Sequence, residues 1–408
     1  MKPLGPIPLG YDAVEGVLAV AGKPVTHWVE QAGGTPLFLY SADLVRDRVT
    51  ALRAAMPARL ALHYAVKANP FPPLLALMNG LVDGFDIASG GELEIVRGAG
   101  IAPARVSFAG PGKRDAELEA AIRAGVTLNL ESESEAARAL AIADRLGAMP
   151  RLAVRVNPDF DLKGSGMKMG GGAKPFGVDA ERVPALVRTI LASGAEWRGF
   201  HIFAGSQALD AEAIAEAQAR SIALAARLAS ESGAPLPHCN LGGGLGIPYF
   251  PGDKPVDLAL VGERLGEAFA ALPDVLAETA FCVELGRYLV GEAGVYIARV
   301  IDRKVSHGEV FLITDGGLHH QLAASGNFGT VVRRNYPAAI ATRFAAPVEE
   351  EASIVGCLCT PLDKLADKGG FPRAEVGDLI AVFCAGAYGA SASPAAFLGQ
   401  GPAAEMLV

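Results

Sequence analysis

The feature that most constrains this chain is a repeated alternation of short apolar runs and helical segments between about residues 58 and 290. Each run precedes a turn of small residues and then a stretch in which apolar residues recur at three- and four-residue spacing, as on one face of a helix. Eight runs follow this pattern: LALHYAVKA, VDGFDIAS, RVSFAG, VTLNLES, LAVRVNP, WRGFHIFAGS, HCNLGGGLG and FCVELGRYLV. Eight alternations of strand and helix predict an α/β fold with a closed (β/α)8 TIM-like barrel.

The pattern changes after about residue 290 to strand-like pieces such as VYIARVIDRKV, EVFLITDG, EEASIVGCLCT and DLIAVFCAGAYG. Because most of these pieces have no long helical pattern between them, they predict a second, mainly β C-terminal domain. The sequence therefore divides into a barrel domain over residues 36–290 and a β domain over residues 291–408. We expect a strand from residues 1–35 to join the β domain.

Charge and composition exclude several classes of protein. The 408 residues carry a formal net charge of −8 with no long basic run, so a nucleic-acid partner is not expected. The chain has no long uncharged apolar stretch and no signal-peptide pattern at its start, so we expect no membrane association and a cytoplasmic location. The five cysteines are odd in number and sparse, which indicates reduced thiols. The C-x-C of Cys357 and Cys359 lacks a second pair at zinc-finger spacing, so no metal ligands are predicted.

Polar residues follow several of the predicted strands, at or just past the end of each apolar run. Because the C-terminal ends of barrel strands converge, these residues predict one site. They are Lys67, Asp86, Glu131, Arg155, His201, the glycines of LGGGLG, and Glu284 with Arg287. The glycine-rich segment GSGMKMGGGAKPFG, residues 164–177, lacks the ending of a nucleotide P-loop and is expected to form a mobile loop over the barrel mouth.

Three of these features together describe one cofactor. Lys67 could be desolvated and act as a nucleophile toward carbonyl groups, or its side chain could extend to solvent. The run NLGGGLGIPY offers backbone N–H groups to a phosphate and does not fit the dinucleotide motif G-x-G-x-x-G. Glu284 and Arg287 could contact different parts of one ligand or form a structural ion pair. A lysine for an aldehyde, a phosphate cradle and a carboxylate for a ring nitrogen indicate pyridoxal 5'-phosphate.

The motifs and their order resemble those of the fold-type III pyridoxal-phosphate decarboxylases, which include diaminopimelate and ornithine decarboxylases. The matching segments span nearly the whole chain and are YAVKAN, FDIASGGELE, VRVNP, AGSQ, GGGLG, ELGR, CTPLD, GAYGAS and GPAAEMLV. The resemblance implies a barrel followed by a β domain. It also implies a homodimer whose active sites lie at the subunit interface.

The resemblance also implies a role for each matching residue. Lys67 would bind the cofactor aldehyde covalently, and Glu284 would bond the pyridine nitrogen. Cys359 would protonate Cα after carbon dioxide leaves, and in this family that cysteine reaches the site from the partner subunit. The other cofactor-binding positions would be Asp86, Arg155, His201, Phe203, Ser206, Gly243, Gly244, Gly246, Gly286, Arg287 and Tyr388, with Glu92 nearby. The substrate-binding positions would be Thr360, Asp363 and Tyr388.

Three departures from the family pattern bear on the substrate. Thr360 follows the cysteine, where diaminopimelate and ornithine decarboxylases carry an acid that meets the distal amine. An Arg-Pro-x-x-Tyr segment is replaced by DGGLHHQLAASGNFG, whose His319 and His320 could contact substrate or lie in a solvated loop. Phe203 stands at the position of a ring-stacking histidine. Because His201 lies two residues earlier on the same face of the strand, either side chain could touch the cofactor.

These features predict pyridoxal-phosphate-dependent decarboxylation of a small-molecule or carrier-bound amino acid that differs from free diaminopimelate or ornithine at its far end. The variants CTPLD, HIFAGSQ and HHQLAASGNFG are most similar to family members associated with bacterial exopolysaccharide and protein-sorting gene sets. An amino-acid racemase of the same barrel class is the first alternative, but such racemases pair the ring nitrogen with an arginine. The second alternative is a non-catalytic cofactor carrier or interaction protein, which would be expected to lack the lysine or the cysteine.

Overall fold

Eight parallel strands form a closed ring in the computed structural model, which describes residues 1–162, 164, 166–168, 170–326 and 334–408. Each strand pairs with the next one along the chain, and the eighth pairs with the first. The strands are β1 (Leu60–Ala65), β2 (Gly84–Ile87), β3 (Val106–Phe108), β4 (Thr127–Leu130), β5 (Arg151–Asn157), β6 (Glu196–Ile202), β7 (His238–Asn240) and β8 (Ala280–Leu285). The predicted (β/α)8 barrel is therefore confirmed.

Helices connect successive strands of the ring. They are α1 (Pro72–Asn79), α2 (Gly90–Gly98), α3 (Asp115–Ala124), α4 (Glu133–Leu146), α5 (Val183–Ala192), α6 (Ala211–Ser232) and α7 (Leu258–Ala270). The hydroxyls of Ser89 and Ser132 cap α2 and α4, because they accept hydrogen bonds from the Glu92 and Glu135 N–H groups at 3.1 Å. Gly147 ends α4 in the left-handed conformation that favours glycine. No described helix has the length and apolar character that crossing a bilayer requires.

The chain divides into two compact units. The barrel unit comprises Val49–Gly246 and Pro255–Gly286, and the β unit comprises Met1–Arg48, Ile247–Lys254 and Arg287–Val408. The division falls within the helix Ala42–Ala55, which precedes β1. The domain bounds inferred from the sequence stay a prediction.

The β unit contains a mixed sheet built around the strand Gly294–Ser306. This strand pairs with Leu37–Tyr40, Glu309–Thr314 and Leu379–Val382, so the N-terminal run TPLFLY joins strands that lie far along the chain. The remaining strands of the sheet are Ala338–Ile340, Glu350–Val355, Lys364–Phe371 and Ala404–Leu407. A separate small sheet of Asp12–Val14, Val17–Val20 and Lys23–Pro24 is followed by the helix Val25–Ala32.

Large apolar side chains on the strands form a core in each unit. On the barrel strands the fully buried aromatic residues are Tyr64, Phe85, Phe108, Phe200 and Phe281. In the β unit the buried cluster includes Leu37, Leu39, Val295, Ile297 and Phe383. Because burying one such side chain contributes about 1.5–3 kcal/mol, these strands give each unit a rigid frame on which polar residues can be held.

Candidate active site

The polar residues predicted from the strand ends lie where the sequence places them on the barrel. Lys67 lies in a short 3-10 turn directly after β1, Asp86 lies on β2, and Arg155 lies on β5. His201 and Glu284 lie near the ends of β6 and β8. All of these side chains except Lys67 are buried.

Glu284 is the centre of a buried polar cluster. Its Oε2 lies 3.0 Å from Nε2 of His201 and accepts a hydrogen bond from Nδ2 of Asn240 at 3.2 Å. Burial alone would raise the pKa of Glu284, but the neighbouring His201, Lys67 and Arg155 reverse this effect and lower its pKa to about 2. The carboxylate is therefore ionised at neutral pH.

Asn240 is a site residue that sequence reasoning missed. Its side chain donates to Glu284, and its Oδ1 accepts the N–H of Gly242 at 2.8 Å. It thereby connects the buried carboxylate to the start of the glycine-rich turn after β7. A signal was present, because Asn240 is a polar residue at the end of a barrel strand.

The environment of Lys67 agrees with a side chain that extends to solvent and not with a desolvated amine. Its side chain is exposed, while its neighbours Val66 and Ala68 are buried, so the structure does not place it in a desolvated setting. Its Nζ lies 5.7 Å from the ring centroid of Phe203. Phe203 is half-buried, and the rings of His201 and Phe203 are 6.4 Å apart. The two aromatic residues thus have different neighbours: Phe203 lies beside Lys67, and His201 lies beside Glu284.

Arg155 is held by a buried carboxylate. Its Nη1 donates to Oε1 of Glu131 at 2.8 Å, and Glu131 also accepts the N–H groups of Gly110 and Gly177 at 2.6 and 2.8 Å. Burial opposes ionisation of Glu131, but Arg155 and Lys113 outweigh it and lower the pKa of Glu131. Arg155 is therefore fixed by an ionised partner that also anchors two loops.

A second buried ion pair supports this arrangement. Nζ of Lys113 lies 2.7 Å from Oε1 of Glu135, and both side chains are almost completely buried. Burial lowers the pKa of Lys113 and raises the pKa of Glu135, while the attraction between them counteracts both shifts. Oε2 of Glu135 accepts the backbone N–H of Glu131 at 3.1 Å. The pair therefore positions Glu131, which follows β4 and binds Arg155. Sequence reasoning missed Lys113 because GPGKRD resembles an exposed turn.

Only one carboxylate oxygen of Asp86 has a hydrogen-bond partner among the described residues. Its Oδ2 lies 3.1 Å from Nδ1 of His63, whereas its Oδ1 has no hydrogen-bond partner among the described residues. The nearby Glu92 accepts the N–H of Ala88 at 2.6 Å, and burial raises its pKa. A buried carboxylate oxygen without a partner is costly, which indicates that a ligand donor belongs there.

The glycine-rich turn after β7 could not contain larger residues. A Cβ added to Gly243 would lie 2.1 Å from the Glu284 carbonyl oxygen, and Gly244 has a φ of +111°. Gly246 donates its N–H to the Ala208 carbonyl at 2.8 Å, so the predicted phosphate contact of Gly246 would have to replace this bond and stays a prediction. Gly243 and Gly244 remain as predicted phosphate ligands.

Two other predicted barrel residues also lie at strand ends. A Cβ on Gly286 would come within 2.7 Å of the Ala68 Cβ, so glycine permits the close approach of the chain after β8 to the turn after β1. Ser206 is half-buried in a short strand with Gly205.

In the glycine-rich segment predicted to cover the barrel mouth, Ser165 and Met169 lie outside the described residues, so the mobile loop stays a prediction.

In the β unit, Arg287 lies in an aromatic cluster. Its Nη1 donates to the Tyr249 hydroxyl at 2.6 Å, and its guanidinium carbon lies 4.7 Å from the ring centroid of Tyr388. Burial and Arg287 act in opposite directions on the Tyr249 hydroxyl, and burial dominates, raising its pKa to about 12. Tyr249 therefore stays neutral and can orient the guanidinium. Sequence reasoning identified Arg287 and Tyr388 but missed Tyr249.

The side chain of Asp363 holds the segment that contains Cys359 through hydrogen bonds to the backbone. Cys359 is exposed and Thr360 is partly exposed, whereas Asp363 is buried. The two oxygens of Asp363 accept the N–H groups of Leu318 and Leu358 at 2.6 and 2.9 Å. The structure thus gives Asp363 a positioning role, while its predicted substrate contact stays a prediction.

His319 and His320 are both buried, so of the two alternatives left open by the sequence, the solvated loop does not hold for these residues. His320 lies between the Tyr296 hydroxyl and the Gly401 carbonyl, each 3.0 Å from a ring nitrogen. Burial lowers its pKa to about 4, so it is neutral at pH 7. Residues 327–329 of the same predicted segment lie outside the described residues.

The barrel residues fit pyridoxal phosphate on structural grounds. An exposed primary amine lies beside the Phe203 ring, and an ionised carboxylate is held at the end of β8. Oδ1 of Asp86 and Nδ1 of His201 are buried without hydrogen-bond partners in the described part of the chain. Fold and site together define a barrel enzyme of the pyridoxal-phosphate class.

Comparison with known proteins agrees with this class. Residues 42–291 match the family described as "Pyridoxal-dependent decarboxylase, pyridoxal binding domain". The chain is 34% identical over 384 residues to the L-glutamyl-[BtrI acyl-carrier protein] decarboxylase of Niallia circulans, covering 91% of this chain and 88% of the relative. It is 35% identical over 381 residues to the diaminopimelate decarboxylase of Aquifex aeolicus, covering 92% and 87%. The chain belongs to the pyridoxal-dependent decarboxylase family, and its cofactor is pyridoxal phosphate.

Solved structures show the same fold. The crystal structure of diaminopimelate decarboxylase from Helicobacter pylori in complex with L-lysine matches with a TM-score of 0.79 and 29% sequence identity, covering 90% of each chain. The prediction of a fold-type III decarboxylase is therefore confirmed.

Proposed function

We propose that this enzyme decarboxylates an amino acid whose far end is uncharged, as in an acyl group linked to a carrier. The N. circulans relative is named for an acyl-carrier-protein-linked substrate, which supports this class. The A. aeolicus relative is named for free diaminopimelate, so family membership alone does not choose between the two.

The observation that carries the proposal is that Asp363, the only acid in the segment CLCTPLD, is bound to the backbone. Asp363 is 2% exposed, and both of its oxygens accept backbone N–H groups. It is therefore committed to the fold and does not offer a free carboxylate to a substrate amine. Thr360, next to Cys359, supplies a neutral hydroxyl instead. A substrate with a distal ammonium group would lose its charge partner here.

The barrel residues have complementary tasks in this reaction. Bound pyridoxal phosphate supplies a ring that withdraws the electrons left at Cα when carbon dioxide departs. Lys67 offers the amine that would hold the cofactor, and Phe203 lies beside that amine. Glu284 is ionised and would hold a proton at the ring nitrogen. Asn240 and His201 keep the Glu284 carboxylate in place.

The phosphate and proton-donor roles follow the family pattern. Arg287, Ser206, Gly243 and Gly244 would bind the phosphate, together with Tyr388. Cys359 would protonate Cα, and its exposure in the single chain agrees with a thiol that acts across a subunit interface. We also propose a homodimer and a cytoplasmic location, which agrees with five unpaired cysteines.

Carbon dioxide release from a substrate panel tests the proposed substrate. The panel contains glutamate as a thioester on a carrier protein or small thiol, free glutamate, ornithine and diaminopimelate. We expect the wild type to favour the thioesters over free diamino acids by about tenfold or more in kcat/KM. Thr360→Glu should reduce this preference, and the matched control Thr360→Val should retain it. Efficient turnover of free diaminopimelate by the wild type would refute the proposed substrate class.

The same assay separates decarboxylation from racemisation. A decarboxylase releases carbon dioxide in proportion to substrate consumed, whereas a racemase inverts Cα and retains the carboxylate. We expect Glu284, an acid rather than an arginine, to favour carbon dioxide release. Inverted amino acid without carbon dioxide would establish the racemase instead.

Mixing two inactive variants tests the shared active site. If Lys67 and Cys359 of different subunits form one site, Lys67→Ala mixed with Cys359→Ala should regain about a quarter of wild-type activity through random heterodimers. If both residues come from one subunit, the mixture should stay inactive.

A further inference from the structure

A polar cluster inside the barrel is not used by the proposed reaction. His63 lies on β1, His238 on β7 and Cys282 on β8, which are three neighbouring strands of the ring. One nitrogen of each imidazole and the sulfur of Cys282 all lie within 4.8 Å of one another. These three donors are contributed by residues far apart in the sequence, so no motif spacing shows them.

The donor set and its spacing suit a soft divalent metal. Two imidazoles and a thiol are typical zinc ligands, with bonds of about 2.1 Å to nitrogen and 2.3 Å to sulfur. Tetrahedral bonds of those lengths place the donors about 3.4–3.6 Å apart. Because the donors lie within 4.8 Å of one another, each pair would have to close by at most about 1.4 Å. The rings of His63 and His238, which lie 28° from parallel, would also have to turn their nitrogens toward a common point.

The surroundings of the cluster resemble those of known metal sites. Coordination through Nε2 of His63 would leave Nδ1 to Asp86, whose Oδ2 lies 3.1 Å away, and metal-binding histidines commonly have such a carboxylate partner on the second ring nitrogen. His63 and His238, but not Cys282, also line a cavity with about 130 Å³ of space for water. A fourth ligand from solvent could therefore enter. Arg198 and Arg105 also line the cavity. Arg198 pairs with Glu196 at 2.9 Å and Arg105 donates to the backbone carbonyls of Asn79, Val82 and Asp83, which reduces their repulsion of a cation.

We propose that His63, His238 and Cys282 form a zinc-binding site that fastens β7, β8 and β1 together. The Cys282 thiol is buried and the two imidazoles are partly buried, so without a metal they are polar groups largely removed from water, at a cost in stability. The site is independent of the proposed substrate, and through His63 it would orient Asp86. Metal binding would therefore stabilise the barrel before any cofactor chemistry takes place.

Zinc content and thermal stability of the full-length protein test this site. Wild-type protein, kept reduced and dialysed against zinc-free buffer after loading with Zn²⁺ alone, should retain about one equivalent and melt at a higher temperature than metal-free protein. Cys282→Ser and His238→Asn should bind zinc about 100-fold more weakly and lose the stabilisation. The matched control Cys239→Ser removes a buried thiol from neighbouring β7, outside the cluster, and should bind zinc as the wild type does.

Cobalt substitution gives a second readout. Co²⁺ bound to a thiolate should produce a charge-transfer absorption in the wild type and in Cys239→Ser, but not in Cys282→Ser. The proposal is wrong if the wild type binds no zinc at micromolar concentration, or if Cys282→Ser and His238→Asn both retain it. It is also wrong if the pair of Cys357 and the exposed Cys359 accounts for the bound metal, which Cys357→Ser would reveal.

Discussion

The barrel unit and the β unit hold their functional residues in different ways. At the barrel strand ends, buried carboxylates lie against nitrogen-containing side chains: Glu284 against His201, and Glu131 against Arg155. In the β unit, Cys359 lies exposed on a short segment that a single buried carboxylate, Asp363, fastens through backbone N–H groups. The barrel therefore fixes the charges of its site, whereas the β unit fixes the path of its backbone.

This difference predicts different consequences of mutation. A buried ion pair that loses one partner leaves an uncompensated charge in a medium of low dielectric, which is strongly destabilising. An exposed segment that loses its anchor becomes mobile while the rest of the sheet stays folded. Loss of a buried charge partner in the barrel should thus have the larger effect on stability. Loss of the anchor should have a smaller effect on stability and should also displace Cys359.

The largest expected effect is at Lys67. Lys67→Ala should lower kcat by a factor on the order of 10³ or more, because no other described residue offers an amine beside the Phe203 ring. Borohydride reduction followed by peptide mapping should find a pyridoxyl adduct on Lys67 in the wild type. Lys67→Arg retains the positive charge but cannot bind an aldehyde covalently, so it should be equally inactive. An adduct on another lysine would disprove this assignment.

The next effect concerns the buried pair of Lys113 and Glu135. Lys113→Met should destabilise the protein by about 3–5 kcal/mol, because Glu135 is left buried without its partner. The double variant Lys113→Met/Glu135→Leu removes both charges and should recover much of that loss. Urea unfolding measures both values. Equal stability of the single and double variants would show that the pair is not the cause.

Glu284→Gln should reduce kcat/KM by a factor on the order of 10²–10³, because a neutral amide cannot hold a proton at the ring nitrogen. His201→Asn, which changes only a neighbour of Glu284, should have a smaller effect. Glu284 also predicts a pH dependence, since its pKa is lowered from 4.5 to about 2 in the folded state. Its ionisation stabilises the fold above pH 4.5, and this contribution is lost as the pH falls from 4.5 toward 2. Acid unfolding of Glu284→Gln should lack that component.

Asp363→Ala should lower the free energy of unfolding, measured in urea, by about 2–3 kcal/mol, because the N–H groups of Leu318 and Leu358 lose a charged acceptor. Asp363→Asn keeps one acceptor oxygen and should cost less. The control Leu362→Ser alters an exposed side chain of the same segment and should change stability by less than about 0.5 kcal/mol. If Asp363→Ala is as stable as the wild type but no longer turns over substrate, Asp363 has the substrate contact predicted from the sequence.

The smallest effect is expected at Phe203. Phe203→Leu removes an aromatic face near Lys67 and should weaken cofactor binding by about tenfold or less, corresponding to about 0.5–1.5 kcal/mol. Titration of the apoprotein with pyridoxal phosphate measures this change. A larger loss in His201→Asn than in Phe203→Leu would identify His201 as the residue that contacts the ring.

Much of the site could be predicted from the sequence because barrel strands align their C-terminal ends. Lys67, Asp86, Arg155, His201 and Glu284 were identified by their positions after apolar runs. Asn240 could have been found by the same rule. Lys113 and Tyr249 could not, because their burial depends on contacts with residues distant in the chain.

The availability of individual polar groups was likewise invisible in the sequence. Lys67 was considered for a desolvated setting, yet its side chain is exposed. Gly246 was considered for a phosphate contact, yet its N–H is donated to Ala208. The residue type states what a group can bind, but only its neighbours determine whether the group is free to do so.

The sequence by itself determined the barrel, the cofactor class and the family, because hydrophobic periodicity and motif order can be read along the chain without knowledge of its contacts. The tertiary structure decided which charges are paired, which amides are occupied and which three donors meet between β7, β8 and β1. The physical reason is that burial and hydrogen bonding depend on residues from separate strands, and their positions are fixed only when the ring of strands closes.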